Sequence, residues 1–176
     1  IVAHDDVDDE NSDYLVQEVI RQHPDLGWIN PHSVNSVRIV TFLTRDNRVE
    51  IVAAMLRTSS STSPIDNFSA GGVVAGIDVE TGRLKREGLI TTPRGRMLTR
   101  HPVTGTEFFG FQLPHWDELK KIVVQAQQVF HYIKSIGWDI AFTLEGPVII
   151  EANQEWGTAG LQAANGGLLT PKNRGI

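Results

Sequence analysis

Three pairs of short, apolar-rich runs around turn residues constrain the fold of this chain more than any other feature. In the first pair, TRDN joins NSVRIVTFL (35–43) to VEIVAAML (49–56), and in the second a Glu-Thr-Gly turn divides the segment 73–91. The third pair lies within GWDIAFTLEGPVIIEAN (137–153). Because two β-prone runs around a short turn can pair directly, each pair predicts an antiparallel hairpin.

One segment has the periodicity of a helix. After Pro114, apolar residues recur every three or four positions across 115–137, and Gly137 supplies a stop signal. Strand patterns predominate elsewhere, so the sequence predicts an α+β fold: a mostly antiparallel sheet with one long helix covering one face. The remaining expectations are a short strand at 14–20, loops at 23–33 and 57–72, and an irregular segment at 92–107.

Length and charge limit the possible functions. The 176 residues predict a single domain, 1–176, and the net charge of −5 argues against a basic nucleic-acid-binding face. The absence of cysteine excludes disulfides and thiolate chemistry, and is compatible with a cytoplasmic protein. No apolar run approaches the roughly 20 residues of a membrane span. Since the chain begins abruptly without Met, we expect it to be the C-terminal part of a longer protein.

The third hairpin carries polar residues inside its apolar runs. Asp139 lies in the first run, and Glu151 and Asn153 end the second. Side chains alternate between the two faces of a strand, so Glu151 and Asn153 share one face. If Leu144-Glu145-Gly146 forms a three-residue loop, Asp139 lies opposite Glu151 and the three polar side chains converge.

A two-residue turn at Glu145-Gly146 would change that arrangement, because it would place Asp139 opposite Ala152 and disperse the polar groups. Two carboxylates held together without a cation raise the pKa of one of them, whereas Mg²⁺ or Mn²⁺ favours such an all-oxygen set. The hairpin therefore predicts either a divalent-cation site or an edge hairpin whose acids are solvated.

The hairpin resembles the metal-binding hairpin of ATP-grasp ligases. In that family, an Asp in one strand and Glu-x-Asn at the end of the next hold two Mg²⁺ ions that bridge the phosphates of ATP. The resemblance implies that Asp139, Glu151 and Asn153 are the metal ligands here.

Upstream segments resemble the same family in the same order. LVQEVI (15–20) is similar to the hinge strand that holds adenine, which implies that Gln17, Glu18 and Val19 bind the nucleotide.

Two further strands and a loop are similar to those of ribosomal-protein glutamate ligases. SVRIVTFL and VEIVAAMLR resemble strands that carry arginines in those enzymes, which implies catalytic roles for Arg38 and Arg57. DNFSAGG resembles their Asn-x-x-x-Gly-Gly stretch and implies that Asn67 lies near the phosphates.

Taken together, the phrases QHPDL, NSVRIVTFL, HPVTGTEF, LPHWDELKK and GWDIAFTLEGPVIIEAN resemble the sugar-transfer associated ATP-grasp family over about 14–165. The resemblance implies a Mg-ATP-dependent ligase in polysaccharide or cell-surface sugar biosynthesis. Its partners would be ATP, a carboxylate and an acceptor linked to a sugar, and its reaction would pass through an acylphosphate. The family's ATP site lies between two subdomains, so the preceding part of the protein would supply the other half.

Two alternatives remain for the function, and two for one aromatic residue. The domain could bind nucleotide without catalysis, or it could be an ATP-grasp phosphotransferase that acts on a hydroxyl. Trp156 follows the third hairpin closely, and the sequence admits either a packing residue or a residue that stacks on a sugar.

Overall fold

The structure, a computed structural model, describes residues 17–63, 71–90 and 95–168. Its centre is a seven-stranded antiparallel sheet in an α+β fold, which confirms the fold class predicted from the sequence. The strands are β1 (Ser36–Leu43), β2 (Val49–Thr58), β3 (Val73–Ile77), β4 (Gly88–Ile90), β5 (Arg96–Leu98), β6 (Ser135–Thr143) and β7 (Gly146–Asn153). The helices are α1 (Pro24–Gly27), α2 (Trp116–Val129) and α3 (Ala159–Asn165).

The strand order is β5-β4-β3-β2-β1-β6-β7. The hairpin β1–β2 is therefore central, and β6–β7 lies beside β1 although α2 and several strands separate them along the chain. None of the helices in the described ranges combines the length and the apolarity that a membrane crossing requires.

The two faces of the sheet are covered by different helices. Val37 and Ile39 of β1 belong to the larger core, which also contains Leu119 and Val123 of α2. Val40 follows Ile39 and therefore points to the opposite face, where it belongs to the smaller core with Leu161 of α3. Alternation along each strand thus directs one set of side chains toward α2 and the other toward α3.

The long helix is shorter than the sequence predicts. It ends at Val129 rather than near Gly137, and β6 begins at Ser135. Apolar residues such as Ile136 belong to the strand, where Ile136 is buried in the core. Gly137 lies inside β6 and is not a helix stop: a Cβ there would come within 2.3 Å of the Cβ of Trp156. The prediction of a helix over 115–137 is therefore wrong at its C-terminal end.

Other local expectations also change. The described part of the predicted strand 14–20, residues 17–20, has no regular secondary structure. It is followed by an anchor at His23, whose N–H donates to the carbonyl of Phe142 at 2.7 Å. The helices α1 and α3 and the strand β5 lie in segments for which the sequence predicted no regular structure.

Candidate functional site

A row of side chains crosses three neighbouring strands on the α3 face of the sheet. Arg38 of β1 lies directly opposite Asp139 of β6, and Asp139 lies directly opposite Glu151 of β7. Asn153 lies opposite Gly137, near the row. Since directly opposed residues share a face, the fold brings two acids and a guanidinium onto one surface.

Asp139 pairs with Glu151 as predicted, but a different turn and a β-bulge produce this pairing. Thr143 pairs with Gly146, so the loop contains only Leu144 and Glu145. That loop alone would place Asp139 opposite Ile150. The register shifts between Asp139 and Ile140, where Ile150 is the extra residue of a β-bulge. The predicted pairing is found, but neither predicted turn is present, and the bulge establishes the register.

Asp139 is held by two arginines. Arg38 donates from Nε to Oδ1 and from Nη2 to Oδ2 at 2.6 Å, and Arg57 donates from Nη1 to Oδ2 at 3.1 Å. The Asp139 side chain is 7% exposed, and those of Arg38 and Arg57 are 14% and 17% exposed. A nearly buried carboxylate requires such partners, because an unpaired charge there would be strongly unfavourable.

These side chains line an open cavity of about 400 Å³. Its charged lining residues are two arginines and two acids, so their formal charges cancel. The cavity therefore offers a bare cation no net negative charge, although it offers oxygen ligands. Its lining residues are Val34, Ser36, Arg38, Arg57, Asp139, Ile150, Glu151 and Asn153.

The oxygen atoms of Asp139, Glu151 and Asn153 are suitable ligands for a Mg²⁺ ion that is bound together with phosphate, because the phosphate supplies the negative charge that the cavity lacks. From the described residues, Oδ1 of Asp139 accepts one hydrogen bond and Oδ2 accepts two, and a carboxylate has about four acceptor positions, so one remains. Glu151 is exposed to the cavity. Nδ2 of Asn153 is buried and has no hydrogen-bond partner in the described ranges. Together with Asp139 and Glu151, the amide oxygen of Asn153 would supply the kind of oxygen ligands that Mg²⁺ prefers.

A second cavity, of about 560 Å³, adjoins the first. It is lined by the segment Gln17–Arg21 and by residues of the β6–β7 hairpin, among them Val148 and Ile149. Ile150 lines both cavities, so the bulge residue lies where they meet. Half of the residues that line the second cavity are apolar, and the others are polar or charged, among them Glu18, Arg21 and Glu145. Residues 17–19 are exposed.

The loop that follows Arg57 is fixed by buried polar groups. Nδ2 of Asn30 donates to the carbonyls of Ser59 and Ser61, at 3.1 and 3.0 Å. His101 is 1% exposed; its Nε2 lies 2.9 Å from the Ser59 carbonyl, and its Nδ1 accepts from the N–H of Val103. Burial lowers the pKa of His101, against the opposing effect of its bond to Ser59. The ring is therefore neutral, with its proton on Nε2.

The sequence-predicted site residues fall into three groups. Arg38, Arg57, Asp139, Glu151 and Asn153 line one cavity, and Gln17, Glu18 and Val19 line the adjoining one. Asn67 lies outside the described residues. Sequence reasoning missed the carbonyl of Trp156, which accepts from Nη1 of Arg38 at 2.8 Å.

Comparison with known proteins identifies the family of the chain. No curated protein matches the chain. The model of the sugar-transfer associated ATP-grasp family matches residues 5–176, which is nearly the whole sequence. Membership of that family indicates an ATP-binding enzyme of the ligase or kinase kind. The chain belongs to the sugar-transfer associated ATP-grasp family.

Proposed function

We propose that this chain is the catalytic C-terminal part of a cytoplasmic, Mg-ATP-dependent ligase that joins a carboxylate to an amine or related nucleophile in polysaccharide or cell-surface sugar biosynthesis. One observation carries the proposal. A larger cavity, half of whose lining residues are apolar, and a charged cavity meet at Ile150, and a nucleotide could place its base in the first and its phosphates in the second.

The larger cavity would receive the adenine. Gln17, Glu18 and Val19 border it on one side, and Val148 and Ile149 border it on the other. Residues 17–20 have no regular secondary structure, so their backbone groups would be available to hydrogen-bond the edge of a purine while apolar side chains contact its faces. The phosphates would then extend past Ile150 toward the arginines.

The charged cavity would hold the reacting phosphoryl group. Phosphoryl transfer depends on positioning and charge neutralisation, since the transferred group carries its charge on exposed oxygens. Arg57 would donate to those oxygens, and Arg38 would hold Asp139 in place while contributing positive charge. Asp139, Glu151 and Asn153 would hold Mg²⁺, which supplies further neutralisation of the phosphate oxygens when bound.

The proposed reaction has two steps. A carboxylate oxygen of the first substrate bonds to the γ-phosphorus of ATP as the bond from that phosphorus to the bridging oxygen breaks, giving an acylphosphate and ADP. An amine or related nucleophile then bonds to the acyl carbon, phosphate leaves with the oxygen that joined it, and the proton of the nucleophile passes to solvent. The two guanidiniums would favour both steps by stabilising negative charge on phosphate.

The ATP site of ATP-grasp enzymes lies between two subdomains, so the nucleotide would also contact a second subdomain of the protein. We therefore expect the intact protein to bind Mg-ATP and the 176-residue chain alone to bind it weakly.

The test is to trap the acylphosphate. The intact protein would be incubated with Mg-ATP, a panel of sugar carboxylates and hydroxylamine, which converts an acylphosphate into a stable hydroxamate. A hydroxamate formed together with ADP, and lost in Glu151→Gln, would support the ligase. A phosphorylated hydroxyl product without hydroxamate would instead identify a phosphotransferase, and absence of nucleotide binding would overturn both.

A further inference from the structure

The guanidinium of Arg38 is fixed on two sides. Nε and Nη2 donate to Asp139, and Nη1 donates to the backbone carbonyl of Trp156 at 2.8 Å. A planar guanidinium with all three nitrogens bonded to fixed acceptors cannot turn without breaking several hydrogen bonds at once. The position of the Trp156 carbonyl therefore helps to set the orientation of Asp139.

Trp156 is itself fixed through its side chain. Its indole Nε1 donates to Oγ of Ser135 at 2.9 Å, and that hydroxyl donates to the carbonyl of Thr41 at 3.2 Å. The side chain is half-buried and packs against the smaller core. Because the indole N–H already has a partner and the ring packs on the sheet, the structure favours the packing role for Trp156.

Gly137 makes this packing possible. A Cβ at Gly137 would lie 2.3 Å from Cβ of Trp156 and 3.2 Å from Cδ of Arg38. Contacts shorter than 3.0 Å to a side-chain root cannot be relieved by a rotamer change, so any larger residue would displace Trp156. Gly137 also pairs with Asn153, at the end of β7. The segment from Asn153 to Trp156 is thus held at both ends.

We propose that Trp156 is a positioning residue for the proposed cation and phosphate site. It acts on Asp139 through Arg38, and the absence of a side chain at Gly137 leaves room for the Trp156 ring. This inference rests on the proposed function. It assigns Trp156 no contact with substrate: the side chain orients a carbonyl, the carbonyl orients Arg38, and Arg38 orients the carboxylate. Residues that orient a metal ligand in this way commonly change metal affinity about 10-fold to 100-fold when replaced.

The test separates cation binding from nucleotide binding. For the intact protein, calorimetry would give two dissociation constants for a non-hydrolysable ATP analogue, one in excess chelator and one with saturating Mn²⁺. The dissociation constant in chelator divided by the dissociation constant with Mn²⁺ measures how much the cation strengthens binding. We expect Trp156→Ala and Gly137→Ala to lower this ratio about 10-fold or more while the cation-free constant stays within about twofold.

Graded variants make the test specific. Trp156→Phe keeps the ring over Gly137 but loses the bond to Ser135, so its ratio should fall less than that of Trp156→Ala. Ser135→Ala removes the same bond from the other side, together with the bond from the Ser135 hydroxyl to the Thr41 carbonyl, so its ratio should fall at least as much as that of Trp156→Phe. Trp28→Phe changes a tryptophan that is 70% exposed and should behave as wild type.

The outcomes distinguish the two proposals. If the wild-type protein binds no nucleotide, or binds it equally with and without Mn²⁺, the proposed function fails and this inference fails with it. If the wild-type ratio is large and remains unchanged in folded Trp156→Ala, the inference alone is overturned. An equal rise in both dissociation constants would also overturn it, since that result indicates general damage to nucleotide binding. Should Gly137→Ala not fold, Trp156→Phe and Ser135→Ala decide the matter.

Discussion

Arg38 and Asp139 face each other directly across β1 and β6, and one guanidinium donates to both oxygens of the carboxylate. Asp139 therefore contributes to the stability of the sheet as well as to the candidate site. This double contribution determines how the site can be tested, because loss of function after a change at Asp139 could follow from loss of structure.

Replacing the two acids should have different effects. Asp139→Asn leaves two largely buried guanidiniums without their counter-ion, so we expect unfolding free energy to fall by roughly 2–3 kcal/mol. Glu151→Gln changes an exposed side chain, and its effect on stability should stay within about 0.5 kcal/mol. Urea unfolding measures both. Both variants should lose Mn²⁺-dependent binding of ATP, and stability loss in Glu151→Gln comparable with that of Asp139→Asn would contradict this assignment.

Replacing Arg57 should change the affinity for the cation and the affinity for the nucleotide in opposite directions. Arg57→Gln leaves the cavity with one net negative charge, so affinity for Mn²⁺ alone should rise about tenfold while affinity for Mn-ATP falls by at least as much. Electron paramagnetic resonance of free Mn²⁺ measures the first quantity, and calorimetry measures the second. Arg48→Gln is the control, since its side chain is 70% exposed and pairs with Asp46 away from the cavity. Parallel changes in the two affinities would argue against this division of roles.

A buried network beneath the site should be sensitive to loss of one hydroxyl. Oγ1 of Thr41 accepts from Nε1 of Trp138 and donates to Oε1 of Gln127, both at 2.7 Å. Thr41→Val keeps the shape but leaves two buried polar atoms unpaired, so it should cost roughly 2–4 kcal/mol of unfolding free energy. Chemical denaturation measures this cost. The double variant Thr41→Val/Trp138→Phe should cost less than the sum of the single changes, and simple additivity would count against the network.

His101 should make stability depend on pH. Because burial lowers its pKa in the folded state, the unfolded chain binds the proton more readily. Stability should therefore be complete above the ordinary histidine pKa of about 6.5 and should fall as pH drops below it. Urea midpoints at pH 7.5 and 5.5 should differ more in wild type than in His101→Gln. His131→Gln, at an exposed ring, controls for loss of a histidine, and an identical pH dependence in His101→Gln would refute the assignment.

Much of the sheet can be predicted from local sequence. The alternating runs of β1 and β2 and the turn residues between them predict the central hairpin, and the acids of β6 and β7 predict a polar pair. These features depend on residues that are close in sequence. The helix α2 is also found, since its apolar positions repeat over a long segment.

The remaining features depend on contacts between distant residues. Nothing local indicates that β6 pairs with β1, so the meeting of Arg38 with Asp139 follows only from the strand order. A glycine after a helical pattern predicts a helix stop, whereas Gly137 in the structure leaves room for the side chain of Trp156. The bulge at Ile150 has no turn residue to mark it, so the correct pairing of Asp139 with Glu151 was predicted from an incorrect loop.

The bulge has a further consequence for the behaviour of the protein in solution. In the described sheet β7 is an outer strand, and an outer strand exposes a row of unpaired backbone groups that can recruit a strand from another molecule. An extra residue interrupts the regular spacing of that row and increases the local twist, which makes the strand a poor template for such pairing. We therefore expect the bulge at Ile150 to make the outer side of the described sheet less able to pair with a strand of another molecule.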